Sequence, residues 1–394
     1  MTTTKTKWLA AAAALAISCS TALAQDTIKI GNLVATAGFL KSVSEPSLVA
    51  FDMAVEKINA AGGINGKPIE LIRFETSSDP KQASVGTRTL AQDEGVLAIL
   101  GPFSSGESAV AFNDADRLKV LMIPTAASKP GLTEGHRYGW RLTEDESKQF
   151  SRLLAAMKEK GIKSDVAEIV FVSEEVVSNA AGKQLYPALL EKAGIKAGDP
   201  IPVQYKTFDM SAQVAKIMQK KPDIVALAGL PESASKLIAE LDRQGFEGRV
   251  IGSQIFADPN LVELLGNTGD GTLVVAGFWQ GRTPESQAFD DAFIKRAAER
   301  GIHKLGAHHS DAQAYDAVFL LKQVMEAAGV TGDPAKLAEE REAIVDAMEG
   351  VRFSGVLADD ICFDGHDAEL PGYVIEIKGG EWTKFASAPA DECK

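Results

Sequence analysis

The sequence predicts an α/β protein made of two doubly wound parallel-sheet lobes, and three observations carry that expectation. Its 394 residues exceed what a single ordinary hydrophobic core encloses. Short apolar runs alternate with windows of helical periodicity along most of the chain. The series restarts near residue 145, after "YGWRLTEDES", and is long enough for two sheets.

"IKIGNLV", from Ile28, reads as the first strand. Leu48, Phe51, Val55 and Ile58 then recur at helical spacing, and "AGGINGKP" breaks that helix before the next strand, "IELIRF". The strands "VLAIL", "VLMIP", "AEIVFV", "DIVALAG", "RVIGS" and "TLVVAGF" follow, each separated by a window long enough for a helix. Such crossovers make neighbouring strands parallel and cover both sheet faces with helices. No low-complexity linker, coiled-coil heptad or short-period repeat interrupts the pattern.

The N-terminus reads as a secretory signal peptide over residues 1–24. Lys5 and Lys7 form a basic region, "WLAAAAALAI" an apolar one, and Ala22-Leu23-Ala24 a small-x-small cleavage site. A membrane span is the alternative, but the apolar stretch falls short of the ~20 residues that a span requires. Cys19 after "AIS" raises a lipoprotein site, for which Ala16 stands where leucine is favoured. Cleavage after Ala24 leaves 39 of the 41 basic residues against 54 acidic ones, a net charge of −15. That balance argues against nucleic acid and anionic lipid as partners, since both need basic patches. Cleavage also leaves Cys362 and Cys393, which are compatible with one disulfide in an exported chain or with two free thiols.

The stretch "ILGPFSSGE", residues 99–107, places a small-residue turn where a buried strand ends. It lacks the lysine of a phosphate loop, with glutamate in its place, and has no G-x-S-x-G arrangement for a nucleophilic serine. What remains is a helix start near Ser105, whose free N–H groups and hydroxyl suit a carboxylate; an ordinary N-cap role for Ser105 is equally open. A second turn, "IPTAASKPGLT", carries Ala126, Ala127 and Ser128, small enough for a ligand to approach the backbone. His308, His309 and Asp311 with nearby His303 lack zinc-site spacing and read as a loop leading into a helix. "GGINGKP" sits between helix and strand, the wrong order for dinucleotide binding. No catalytic constellation, metal site or cofactor is expected.

"AVEKINAAGGINGKPIEL", "SSDPKQA", "ILGPFSSGESAV", "IPTAASKPGLT" and "QAYDAVFLL", taken together and in this order, resemble the periplasmic leucine/isoleucine/valine-binding proteins, the type I solute-binding components of ABC importers. The resemblance runs from about Ile28 to about Phe385. It implies a three-stranded hinge, a small-molecule ligand closed between the lobes, a membrane permease as partner, a monomer and a periplasmic location. Lobe one would comprise residues 25–144 and 277–352, and lobe two 145–276 and 353–394, with crossovers near "RLTED", "VAGFW" and "RFSGV". A ligand sensor serving a membrane receptor is the alternative on the same fold, and an enzyme the third.

By the same resemblance, Ser105 would hold a ligand carboxylate, while Ala126 and Ser128 would receive an ammonium group. Gln254 stands where the family places an acidic anchor, and a glutamine cannot neutralise an ammonium. Ser178 with Asn179 replaces the family's clamp tyrosine, and Leu230 in "LAGLPES" replaces a tyrosine-rich segment. Amino-acid specificity is thereby left open against an organic acid or amide. Phe39, Val43, Phe103, Leu230, Phe256 and Trp279 are the apolar candidates for a side-chain pocket.

Overall fold

A computed structural model describes residues 27–393; the expected signal segment, with Cys19 and the Ala22/Ala24 site, lies outside the described residues. The first sheet holds β1 (Ile28–Val34), β2 (Ile69–Glu75), β3 (Ala98–Leu100) and β4 (Leu121–Ile123) in the order β2-β1-β3-β4, every neighbouring pair parallel. Helices α1 (Lys41–Ser44), α2 (Ser47–Ala60), α3 (Pro80–Arg88) and α4 (Ser105–Leu118) lie between or after these strands. The buried face of α2 is Val49, Ala50, Phe51, Ala54 and Ile58, so the apolar stripe read from the sequence is rotated slightly: Leu48 and Val55 sit at its margins.

The second sheet takes up the chain after α5 (Glu146–Glu159). It contains β5 (Val166–Val172), β6 (Lys196–Ala197), β7 (Ile201–Val203), β8 (Ile224–Ala228), β9 (Arg249–Gly252) and β10 (Leu273–Ala276), again with parallel neighbours. Its helices are α6 (Val176–Ala180), α7 (Tyr186–Lys192), α8 (Ser211–Lys220), α9 (Pro231–Arg243) and α10 (Leu261–Leu265). Strand β8 shows why its sequence is continuously apolar. Val225 and Leu227 enter one hydrophobic core and Ile224, Ala226 and Ala228 another, because alternate side chains of a covered strand face opposite helical layers.

Three further helices, α11 (Pro284–Glu299), α12 (His309–Ala327) and α13 (Leu337–Met348), return to the first core. Phe293, Leu321 and Ile344 are fully buried there. Helix α12 starts where the histidine cluster was expected to lead into a helix, with His308 as its N-cap and Asp311 completing a capping box.

Two features differ from the sequence reading. Past β10 the second sheet is antiparallel: β13 (Gly372–Lys378) pairs with β10, and β14 (Glu381–Ala388) forms the edge. Gly379 and Gly380, at φ +63° and +77°, make the two-residue hairpin turn between them, a conformation that glycine adopts without strain. The second difference is the expected return to lobe two at residue 353. Phe353, Val356, Leu357, Ile361, Ala368 and Leu370 all belong to the first core. The short hairpin of β11 (Cys362–Asp364) and β12 (Asp367–Glu369) is held there by Trp140, which packs edge-on to Phe363 and stacks on His366, and by Arg141, whose Nε donates to Asp367 at 2.7 Å.

Cys362 and Cys393 are joined, with Cα atoms 6.1 Å apart. The bond fastens the segment following β14 to the β11 strand.

Candidate ligand-binding site

The carboxyl ends of five strands from two different sheets meet around one cavity of about 60 Å³. Phe103, Ser104 and Ser105 follow β3; Ala126 and Ser128 follow β4; Glu175, Val177 and Ser178 follow β5; Gly229 and Leu230 follow β8; Ser253, Gln254 and Ile255 follow β9. Strand ends facing helix N-termini are where open α/β sheets bind ligands, because the turns there present unpaired backbone groups. A larger groove, of about 1190 Å³, lies against α2, α11 and α12 on the first lobe and includes none of the residues singled out from the sequence as binding candidates.

In the first turn the cap falls on Ser104 and not on Ser105. Ser104 Oγ accepts from Glu107 N at 3.3 Å and donates to Glu107 Oε2 at 2.8 Å, while Ser104 N donates to the same carboxylate at 3.2 Å. Ser105 is therefore the first helical residue, and its Oγ accepts from Lys129 N at 3.1 Å. A hydroxyl that is already accepting keeps its proton free to donate. The turn depends on Gly101, at φ +85°, where a Cβ would lie 2.3 Å from the Leu33 carbonyl oxygen.

In the second turn, Ala126 and Ser128 line the cavity and Ala127 does not. Ala127 is fully buried in the first core, and its carbonyl accepts from Arg141 Nη1 at 3.0 Å. Successive residues of an extended turn face opposite ways, so a residue between two cavity-lining neighbours packs inward. The Ser128 carbonyl accepts from Glu146 N at 2.9 Å, which joins this turn to the start of α5.

From the second lobe, Ser178, Leu230 and Gln254 all reach the cavity. Ser178 N donates to the Glu175 carboxylate, which also caps α6. Leu230 joins Leu40, Val43 and Phe103 in an apolar cluster that spans the two lobes, with Phe39 and Tyr205 beside it at a ring separation of 6.3 Å. Of the other apolar candidates, Phe256 is fully buried in the second core and Trp279 packs against that core. Gln254 Oε1 accepts from Gln149 Nε2 at 3.2 Å.

Glu146, Glu175 and His309 also line the cavity, and the sequence reading had missed them as site residues. Burial is the main cause that raises the Glu146 carboxyl from 4.5 to about 7, with hydrogen bonds from Tyr186 and Ser128 opposing it. Burial likewise holds the His309 imidazole well below its usual value, hence neutral near pH 7. Among the described residues no lysine or arginine lines the cavity. Around the cavity thus stand the Ser105 hydroxyl, the Glu146 and Glu175 carboxyl groups, and the apolar Leu40, Phe103 and Leu230.

A family model described as "Periplasmic binding protein" matches residues 27–381. The leucine-, isoleucine-, valine-, threonine- and alanine-binding protein of Pseudomonas aeruginosa is 27% identical over 346 residues, covering 85% of this chain and 87% of that protein. Among solved structures, the branched-chain amino acid transporter substrate-binding protein of Streptococcus pneumoniae, in complex with isoleucine, aligns at a TM-score of 0.79 and 22% identity over 92% of this chain and 99% of its own. A solute-binding protein from Rhodopseudomonas palustris in complex with benzoate aligns at 0.78 and 21% over 93% and 97%. With the family match spanning nearly all the described residues, and with two sheets whose strand ends meet around one cavity, the chain belongs to the periplasmic binding protein family.

Proposed function

We propose that this protein is the extracytoplasmic substrate-binding component of an ABC importer, capturing a small carboxylate-bearing solute between its lobes and delivering it to a membrane permease. One observation carries the reading: Ser105, at the start of α4, shares an interlobe cavity with the Glu146 and Glu175 carboxylates. The α4 N-terminus and the Ser105 hydroxyl receive the ligand carboxylate. Glu146, whose raised carboxyl an adjacent ammonium would pull back toward ionisation, supplies the acid that Gln254 lacks, so an ammonium-bearing ligand is matched at both ends. Ser128, Ala126, Ser178 and Leu230 complete the walls.

The lobes are proposed as residues 27–144 with 277–370, and 145–276 with 371–393, the third crossover lying just before β13. A ligand touching both lobes favours closure through the contacts it gains only there. The exported, periplasmic location follows from the leader read in residues 1–24, and binding without turnover from the family. The relative from Pseudomonas aeruginosa supports an amino acid as ligand.

The test is calorimetric titration of protein unfolded and refolded to strip carried-over ligand, comparing leucine with its deaminated analogue 4-methylpentanoate. Binding of leucine alone is expected. Binding of the analogue alone would overturn the role of Glu146 and make the ligand an organic acid.

A further inference from the structure

The inference rests on the reading of the cavity as a small-carboxylate site and concerns the far end of its ligand. Three polar atoms of two cavity-lining residues, Gln254 Nε2 and both ring nitrogens of His309, are buried and have no hydrogen-bond partner among the described residues. His309 is 2% exposed and Gln254 3%. The two side chains meet at the second crossover: a Cβ placed on Gly277 would lie 2.8 Å from Gln254 Oε1 and 3.3 Å from His309 Cβ. Of the neighbouring side chains, Gln149 Oε1 and Gln313 Nε2 also lack a partner among the described residues, but neither residue lines the cavity, and the other groups are paired. Gln254 Oε1 accepts from Gln149 Nε2, His308 Nε2 bonds the Gln254 carbonyl at 3.0 Å, and Thr143 Oγ1 donates to Gln313 Oε1 at 3.0 Å.

Buried polar atoms are almost always satisfied, and two adjacent exceptions on one cavity wall mark where a guest completes the bonding. We infer that the ligand carries a second, neutral hydrogen-bonding group, a carboxamide or hydroxyl, seated at the hinge end of the cavity on His309 and Gln254. A neutral imidazole offers one donor and one acceptor, and the Gln254 amide offers a donor. A carboxamide answers Gln254 Nε2 and one of the two ring nitrogens, which point away from each other. A second carboxylate is disfavoured, because Glu146 and Glu175 already place two carboxylates in a cavity whose lining includes no lysine or arginine among the described residues. A purely aliphatic tail leaves the three atoms unpaired, and sites built to hydrogen-bond a ligand reject analogues lacking that group far more strongly than apolar pockets discriminate by size.

The experiment is titration of the stripped wild-type protein with two shape-matched pairs, asparagine against leucine and succinamate against 4-methylpentanoate. In at least one pair the carboxamide member is expected to bind at least about tenfold more tightly. His309→Leu and Gln254→Leu are expected to shrink that ratio toward one, chiefly by weakening the carboxamide ligand, while melting temperatures report that each variant is folded. Aliphatic members that bind as tightly as their partners in both pairs overturn the inference and leave the carboxylate-site reading standing. Binding of none of the four compounds overturns that reading and the inference together. The wild-type ratio decides the matter even where a variant does not fold, and a ratio unchanged in both folded variants removes His309 and Gln254 from it.

Discussion

The Tyr186 hydroxyl donates to Glu146 Oε1 at 3.0 Å on the wall of the interlobe cavity, and both side chains are almost completely buried. Tyr186 is itself fixed by stacking on Phe150, with ring centroids 4.0 Å apart. The pair holds a carboxyl group at the start of α5, next to the Ser128 turn of the first lobe. The β9 turn brings Gln254 to the cavity, and α5 brings this acid.

That position makes stability depend on pH. Burial raises the Glu146 carboxyl from 4.5 to about 7, so the folded state holds its proton more tightly than the unfolded state. Stability from this group is therefore fully present below 4.5 and falls as pH rises through about 7, by about 3 kcal/mol. Glu146→Gln is expected to flatten the loss between pH 5 and pH 8 relative to wild type. Chemical denaturation of both proteins at the two pH values measures this, and equal losses would show that Glu146 does not titrate as a buried carboxyl. Glu144 and Asp316, also raised to about 7, are common to both proteins and cancel.

Adjacent serines divide their labour. Ser104→Ala removes the cap of α4 and is expected to cost about 0.5–2 kcal/mol of stability. Ser105→Ala is expected to weaken ligand binding by about 1–3 kcal/mol under the proposal that its hydroxyl pairs with the ligand carboxylate. Paired unfolding curves and titrations separate the two effects; unchanged affinity in the Ser105 variant would remove its hydroxyl from the site.

The Cys362–Cys393 bond closes a loop of 31 residues. Loop-closure entropy gives it a stabilisation of about 3–4 kcal/mol. The double variant Cys362→Ser with Cys393→Ser is expected to unfold at correspondingly lower denaturant concentration, and reductant to reproduce the effect in wild type. A midpoint that neither change moves would contradict this account of the tail.

Closure is the remaining expectation. Leu40 and Phe103 meet Leu230 across the cleft, contacts that exist only when the lobes are together. Small-angle scattering with saturating ligand should give a smaller radius of gyration than without it. Coincident curves would mean that ligand does not shift the lobes.

How much was legible beforehand depends on the range of the signal. The strands from β1 to β5 and from β8 to β10 follow from apolar runs bounded by breakers, a local pattern that a few residues carry. The antiparallel β13–β14 hairpin carried an equally local cue, two glycines between strand-like runs, which a parallel alternation read to its end passed over. The packing of residues 353–370 on the first core had no such cue, because it rests on Trp140 and Arg141, far away in sequence.

By itself the sequence determined the α/β class and the two small-residue turns. It also placed Ser105, Ser128, Ser178, Leu230 and Gln254 at strand ends, since turn chemistry and strand termini are properties of neighbouring residues. Only the tertiary structure decided that Ser104 and not Ser105 is the cap, that Ala127 faces the core, and that Glu146, Glu175 and His309 share the cavity. The physical reason is that a cleft between two lobes is assembled from crossings of the chain, and which side chains meet there depends on packing between segments that no local pattern connects.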